Sequence, residues 1–362
     1  MQPVDGSVLV INPGATSTKI GIYSPGKSEF VHTIRHPDEE LKPFEGQSVQ
    51  VQLDYRTAQI KAALNGCGWG SEKFVAVAGR GGLLPPMASG TYLVDDALLE
   101  ELRLARRGDH ASNLGGVLAS VFAAEAGVNA YIVDPVSVDE WDDIARLSGS
   151  PLLPRTCLCH TLNTKAIARR YARDLQRSYE SLRLIVIHLG SGNSVSAHRD
   201  GRMVDNNSGD EGPFGVDRCG SVPVQALIRL CFSGQYTEAQ LLRQAQGEGG
   251  VLAYLDTRDM TEVLRRIDSG DARAAIVFEA MIYQVAKEAG AMAVVLEGKV
   301  DAILLTGGMA FSDRINMRLA HYLAWIAPIK TYPGEDELQA LAEGAFRVIA
   351  GEEKPKTLRP PA

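Results

Sequence analysis

The chain has 362 residues and a formal net charge of −7, which suits two domains of roughly 150–200 residues each and argues against a nucleic-acid partner, since such binders are usually basic. The opening MQPVDGSVLV has no basic stretch followed by an apolar one, and no run of about 18 apolar residues occurs, so neither a secretory leader nor a membrane-spanning helix is expected and a cytoplasmic enzyme is. Five scattered cysteines suit reduced thiols, and Cys157-Leu-Cys159-His160 sets its three candidate ligands too close together, without a second cluster, for a zinc tetrahedron.

Residues 7–23, SVLVINPGATSTKIGIY, read as an apolar strand ending at Asn12, a polar glycine loop and a second strand over 19–23. A Pro-Gly turn at 25–26 and a third strand near 30–34 follow. The same plan recurs in LRLIVIHLGSGNSVSAHRDGRMVD: a strand ending at His188, a glycine loop, a strand over 194–198, an Asp-Gly turn and a strand from Arg202. Gly14 and Gly190 are 176 residues apart, close to half the chain, which points to a duplication. Buried strands within 73–82 and 129–135 in the first half match 301–310 and 325–334 in the second. Helices are expected over 97–107, 162–177, 272–297 and 336–350. Arg169, Arg170, Arg173 and Arg177 form a solvated basic face on the second of these, and the tail 354–362 frays. Strands alternating with helices after a meander give an α/β fold with mixed sheets. The expected domains are 1–160 and 161–362, with the terminal helix able to pack back on the first. Two such domains form a cleft that closes on a ligand.

Loops at the carboxyl ends of strands are where open α/β sheets bind ligands. The loop from Asn12 through Ser17 to Lys19 is either a cradle of backbone N–H groups for an anion or an ordinary polar turn; it lacks the GxxxxGK[ST] pattern. In His188-Leu-Gly190-Ser191-Gly192 the glycines permit close backbone approach and His188 can reach a phosphoryl oxygen, or the histidine is a core residue beside a plain turn. Arg80 in AGRGG and Arg218 in GPFGVDRCG stand on glycine-rich loops, one per half, where an anion is a better partner than a surface carboxylate. Gly307-Gly308 after a buried strand leaves bare backbone for a flat ring. Asp134, ending YIVD, suits a magnesium-organising carboxylate or a helix cap. His110 and His160 begin helical stretches, where they cap, pack or act.

VLVINPGATSTKIGIY, AGRGGLLPPMASGTY, HASNLGG, YIVDPVSVDE, HTLNTKAIARRYA, LLTGGMAFS and YPGEDELQALAEGA, taken in order and together with the central loop, resemble the butyrate kinases. That family sits with the acetate kinases in the acetokinase branch of the superfamily of sugar kinases, heat-shock ATPases and actin. The resemblance implies duplicated βββαβαβα domains of the actin-like ATPase type. It implies that ATP phosphorylates a short-chain carboxylate, reversibly, to an acyl phosphate. It places Asn12, Ser17 and Lys19 in a first phosphate loop and His188 to Gly192 in a second, with Gly307 and Gly308 bordering the adenosine. Arg80 and Arg218 contact the transferring group and the carboxylate, His160 supports the transition state and His110 lies nearby. Asp134, Asp336 and Glu337 help place Mg2+. A homo-oligomer is implied as well. The chain departs from the usual pattern at Ala15, Ser191 and Ser221.

A carboxylate is already ionised at neutral pH and needs no general base, unlike a sugar hydroxyl. The problem is charge, which arginines, histidines, magnesium and backbone N–H groups answer. The alternatives are an acetate or propionate kinase, or an actin-like ATPase module without a small-acid substrate.

Overall fold

The computed structural model describes residues 6–207 and 209–358. The chain divides into two compact units, one formed by residues 1–139 with 336–362 and the other by residues 140–335. The division thus falls after Asp139 where the sequence reading placed it after residue 160.

In the first unit, β1 (Ser7–Pro13), β2 (Ser17–Ser24) and β3 (Lys27–Arg35) form the expected antiparallel meander. The short α1 (Asp38–Leu41) and α2 (Leu53–Gly66) lead to β4 (Phe74–Gly79). The edge strand β5 (Thr91–Leu93), α3 (Asp96–Leu104), α4 (Asn113–Ala126) and β6 (Asn129–Val133) follow. Their sheet runs β3-β2-β1-β4-β6-β5. The interior strands are almost wholly apolar, as strands covered on both faces are.

The second unit opens on α5 (Thr161–Asp174), then repeats the meander as β7 (Leu184–Leu189), β8 (Asn193–Arg199) and β9 (Arg202–Asn206). Four short helices follow: α6 (Val224–Cys231), α7 (Glu238–Ala245), α8 (Gly250–Leu255) and α9 (Met260–Asp268). The long α10 (Ala272–Val295), β10 (Ala302–Gly307), α11 (Asp313–Leu323) and β11 (Ile329–Pro333) complete it. The sheet order is β11-β10-β7-β8-β9. Reversed, this is the order of the first sheet without β5, so the duplication read from the glycine loops is a duplication of topology. In each sheet the meander is antiparallel and the added strands β4, β6, β10 and β11 are parallel.

The last helix, α12 (Glu337–Ile349), belongs to the first unit. Gly344 lets it press on β6: a Cβ there would come within 2.5 Å of Val133. In the second unit α5 packs Ile167, Ala168 and Ala172 on Leu184, Val186 and Leu304 of that unit's sheet. Of the arginines expected on its solvated face, Arg170 and Arg173 are exposed and Arg169 is half-buried, while Arg177, also exposed, lies beyond the helix end at Asp174. The tail does not fray where it is described. Lys356 pairs with β5 through its N–H to the Thr91 carbonyl at 2.9 Å and its carbonyl to the Leu93 N–H at 2.8 Å, and Leu358 is buried. Lysines and prolines signalled solvent there, but an unpaired edge strand was available to hold them. Residues 359–362 lie outside the described part.

Candidate active site residues

In the first unit β1 and β4 end side by side, and the Arg80 N–H donates to the Ile11 carbonyl at 2.9 Å. Asn12 Nδ2 donates to Glu337 Oε2 at 2.7 Å, and Arg80 pairs with that same carboxylate. Strand end, strand end and helix start thereby bring Asn12, Arg80 and Glu337 together. Two of the glycines around Arg80 serve α4: a Cβ on Gly79 would sit 2.1 Å from the Gly115 carbonyl, one on Gly115 2.2 Å from the Arg80 carbonyl, and one on Gly82 2.2 Å from Asn113 Oδ1. Gly81 instead admits Pro135, whose Cβ would be 2.5 Å from an added Cβ.

His110 Nδ1 lies 2.8 Å from Ser112 Oγ and accepts the Ser112 N–H at 3.2 Å, which leaves the proton of a neutral ring on Nε2. Desolvation and then the charge of Arg80 lower its pKa, with Asp109 opposing. Arg80 and His110 therefore share one electrostatic neighbourhood.

The three carboxylates expected at magnesium differ in what they do. Asp134 is fully buried at the end of β6 with φ of 38°, and its Oδ1 accepts from Ser89 Oγ at 2.5 Å and Gly90 N–H at 2.7 Å. It secures the loop before β5. Asp336 is the N-cap of α12, accepting the Gln339 N–H at 3.2 Å. Burial and the nearby Asp336 push the Tyr23 phenol up to about 12. Glu337 lies against two other expected site residues, Asn12 and Arg80. Among the described residues no three His, Cys, Asp or Glu side chains are grouped as a metal-binding set.

Loop 12–19 is a tight hairpin closed by the Gly14 N–H on the Ser17 carbonyl at 2.7 Å. Ser17 is half-buried and Lys19 exposed on β2. An arginine the sequence reading passed over, Arg56 on α2, donates into this loop at Gly14, Ala15 and Thr18. A signal existed: Arg56, Ile60 and Leu64 recur every four residues, which puts a charge on the apolar stripe of α2.

In the second unit His188 is the next-to-last residue of β7 and is 1% exposed. Its Nδ1 lies 2.9 Å from Asn163 Oδ1 and its Nε2 3.0 Å from Glu335 Oε1. Its ring stacks on His160, the residue capping α5, whose Nδ1 is 2.7 Å from Ser194 Oγ. Neither Asn163, Ser194 nor Glu335 was foreseen; only the acidic run around Glu335 hinted at one of them. Gly190 leaves the Nε2 side of His188 open, since a Cβ there would be 3.0 Å from that atom. Ser191 turns an exposed side chain outward while its carbonyl accepts Val216 N–H at 2.9 Å and Asp217 N–H at 3.3 Å. That clip brings the loop carrying Arg218 onto Gly192, whose Cβ, if present, would lie 2.8 Å from Arg218 Cδ. Gly307, at φ of +91°, approaches Leu189, where a Cβ would be 2.3 Å from a carbonyl. Gly308 faces open space within 4 Å. Ser221 supports the Arg218 loop by accepting the Gly212 N–H at 2.9 Å.

Cys157 and Cys159 are buried with Trp141 and Met203. Burial pushes the Cys159 thiol up to about 12, with bonds from Ser194 and the His160 backbone opposing.

Comparison with known proteins gives a consistent picture. Residues 155–322 match the model of the acetokinase family. The chain is 48% identical over 351 residues to a probable butyrate kinase of Clostridium botulinum (strain Alaska E43 / Type E3), covering 96% of this chain and 98% of that one. Butyrate kinase 1 of Clostridium acetobutylicum is similar at the same identity and coverage. Among solved structures, acetate kinase of Porphyromonas gingivalis superposes with a TM-score of 0.78 at 17% identity, over 95% of this chain and 100% of that one, a likeness of fold.

Proposed function

Since this chain belongs to the acetokinase family, we propose that it is an ATP-dependent kinase of short-chain fatty acids, forming the acyl phosphate of butyrate or a branched C4–C5 acid, reversibly. The preference for this chain length rests on the 48% identity to proteins named butyrate kinase. The observation that carries the residue assignment is a set of cationic and imidazole donors in each unit: Arg80 with His110 in one, and Arg218 with His160 and His188 in the other.

A carboxylate oxygen of the acid attacks the γ-phosphorus, the new O–P bond forms, and the bond from phosphorus to the β–γ bridging oxygen breaks. ADP leaves with that electron pair, and no proton moves. The barrier comes from bringing two anions together while charge spreads over the phosphoryl oxygens. Arg80 and Arg218 supply fixed guanidinium donors for the transferring group and the carboxylate. His160 donates to the phosphoryl group in flight and His110 supports Arg80. Loop 12–19 and His188 through Gly192 hold the donor's phosphates, and Gly307 and Gly308 border its adenosine.

Mg2+ takes one or two carboxylates together with phosphate oxygens. Glu337 fits this, a hard oxygen donor beside Asn12 and Arg80; Asp336 caps the helix that carries it, and Asp134 secures the loop before β5. When bound, the ion neutralises phosphate charge. We assign the protein to the cytoplasm. A homo-oligomer is supported by the exposed apolar side chains Val224, Leu227, Ile228 and Phe232 on and after α6. No helix among the described residues is long and apolar enough to cross a membrane.

The test is ATP turnover with a panel of C2–C6 acids, trapping acyl phosphate with hydroxylamine. Best turnover with C4–C5 acids supports the assignment. Best turnover with acetate or propionate would move it within the family, and ATP hydrolysis indifferent to every acid would leave an ATPase module.

A further inference from the structure

Arg56 lies in the first turn of α2 and is 1% exposed. Among the described residues its donors meet no carboxylate, an unusual state for a buried cation. They go instead to the hairpin that follows β1. Nη1 donates to the Gly14 carbonyl at 2.9 Å and to Thr18 Oγ1 at 3.0 Å, and Nη2 donates to the Ala15 carbonyl at 3.1 Å. Nε donates to Gln52 Oε1 at 3.0 Å, one helical turn back, which fixes the plane of the fork. The remaining loop carbonyls are also occupied: that of Thr16 by the His36 N–H at 2.9 Å, and that of Ser17 by the Gly14 N–H at 2.7 Å.

The consequence follows from the planarity of the peptide. A trans peptide unit points its N–H opposite to its C=O, and no peptide bond among the described residues is cis. Turning the carbonyls of Gly14 and Ala15 inward onto Arg56 turns the N–H groups of Ala15 and Thr16 outward, and both residues are exposed. Successive N–H groups presented this way form an anion-binding concavity. Burial lowers the pKa of Arg56, yet a guanidinium remains protonated, so a positive charge lies fixed beneath the same concavity.

We propose that Arg56 is a positioning residue for the phosphoryl donor: it holds the carbonyls of loop 14–18 inward so that the loop's N–H groups, backed by its own charge, receive the nucleotide's phosphates. This rests on the reading of that loop as a phosphate loop. It also explains how Ala15 suffices where the family pattern usually has serine, because the backbone at that position supplies the donor.

The test uses Arg56→Lys and Arg56→Met in the full chain, with ADP affinity by calorimetry, KM for ATP, KM for the acid and the thermal midpoint. Lysine keeps the charge but cannot reach both carbonyls in the plane of a fork. ADP affinity should weaken at least about tenfold in the methionine variant and by an intermediate factor in the lysine variant. KM for ATP should rise in parallel, while KM for the acid stays within about twofold of the native value. Native ADP affinity in either folded variant overturns the proposal. So does an equal rise in both KM values, or failure of both variants to fold, which would make Arg56 a residue of the core alone. ADP affinity is measured without acid, so a native protein that binds ADP and makes no acyl phosphate would refute the assigned reaction and leave the Arg56 comparison intact.

Discussion

The imidazoles of His160 and His188 lie face to face, with centroids 4.0 Å apart and planes inclined by 10°. Backbone pairing sets this plate. His188 stands opposite Ser194 in the β7–β8 register, and Ser194 Oγ is 2.7 Å from His160 Nδ1. One residue pair of a sheet therefore orients both rings, and Asn163 and Glu335 hold the far edges of His188. His188→Phe keeps a ring face and loses the hydrogen bonds; His188→Ala loses both. If the stack orients His160, the phenylalanine variant should raise KM for ATP while keeping most of kcat. The alanine variant should also lose about tenfold in kcat, roughly 1.4 kcal/mol. Steady-state kinetics decide this, and equal kcat in the two variants would show that the stack contributes nothing to orientation.

Glu337 receives both Asn12 and Arg80. Glu337→Gln can still accept from Asn12 but has lost the charge that attracts a divalent ion. At fixed ATP, the Mg2+ concentration giving half-maximal rate should rise by about tenfold. An unchanged Mg2+ titration would remove Glu337 from the metal's surroundings.

The duplication was legible because glycine loops and β-formers are local signals, and the strand ends carrying Asn12, Arg80 and His188 followed from them. Roles that depend on which distant segment arrives were not legible. The glycines flanking Arg80 are explained by packing once distant segments arrive, Gly79 against Gly115 of α4 and Gly81 against Pro135. Asp336 and Glu337 are neighbours in sequence, yet one caps α12 and the other meets Arg80, a difference set by the first turn of a helix. Arg56 looks like a surface residue of an ordinary helix, and only its spacing to Ile60 and Leu64 shows that it points inward. The boundary at Asp139 has no composition signal. The segment after it is tied to the second unit by the Glu140–Lys165 pair and by the Asp142 N–H on the Val204 carbonyl, contacts across long stretches of chain.

His198 is fully buried between Tyr179 Oη at 2.6 Å and Ser196 Oγ at 2.8 Å. Burial, aided by the charges of Lys165 and Arg169, brings its pKa down to about 3. In the unfolded chain the ring titrates near 6.5. Below that pH the unfolded state binds a proton that the folded state refuses, so the contribution is complete above about 6.5 and is lost as pH falls towards 3. At pH 5 the loss is about 2 kcal/mol. His36, lowered to about 4 mainly by burial, adds to the same acid sensitivity. Chemical denaturation at pH 7 and pH 5 should show His198→Gln less stable than the native protein at pH 7 but less pH-dependent, by about that amount. An unchanged pH dependence would mean that the folded ring takes up a proton as readily as the unfolded one, so that burial does not depress its pKa.

Ser191 departs from the glycine usual at its place, but its side chain is exposed and its carbonyl makes the contacts to Val216 and Asp217. Ser191→Gly preserves that carbonyl. Its kcat/KM for ATP should stay within about threefold of native, under 1 kcal/mol. A tenfold loss would show that the hydroxyl makes a required contact with the phosphates.

Gly192 and Arg218 make the sharpest test of the transfer mechanism. Arg218→Ala removes a guanidinium assigned to the phosphoryl group in flight, so kcat should fall on the order of 10³-fold while KM for ATP moves little. Arg218→Lys should recover little of this, since one ammonium cannot reproduce a planar fork. Gly192→Ala asks the same question without touching the arginine. The new Cβ would stand 2.8 Å from Arg218 Cδ, 2.9 Å from Nε and 3.0 Å from Nη1. These atoms belong to a flexible side chain, so the protein can fold by moving them, and the thermal midpoint should change little. The guanidinium, however, is displaced from its place over the glycine loop, and a shift of about 1 Å can cost about 10²-fold in rate. The expected result is a native-like melt with kcat reduced by tenfold or more and nucleotide affinity largely kept. A Gly192→Ala enzyme with native kcat would show that Arg218 does not act from the position it holds against Gly192.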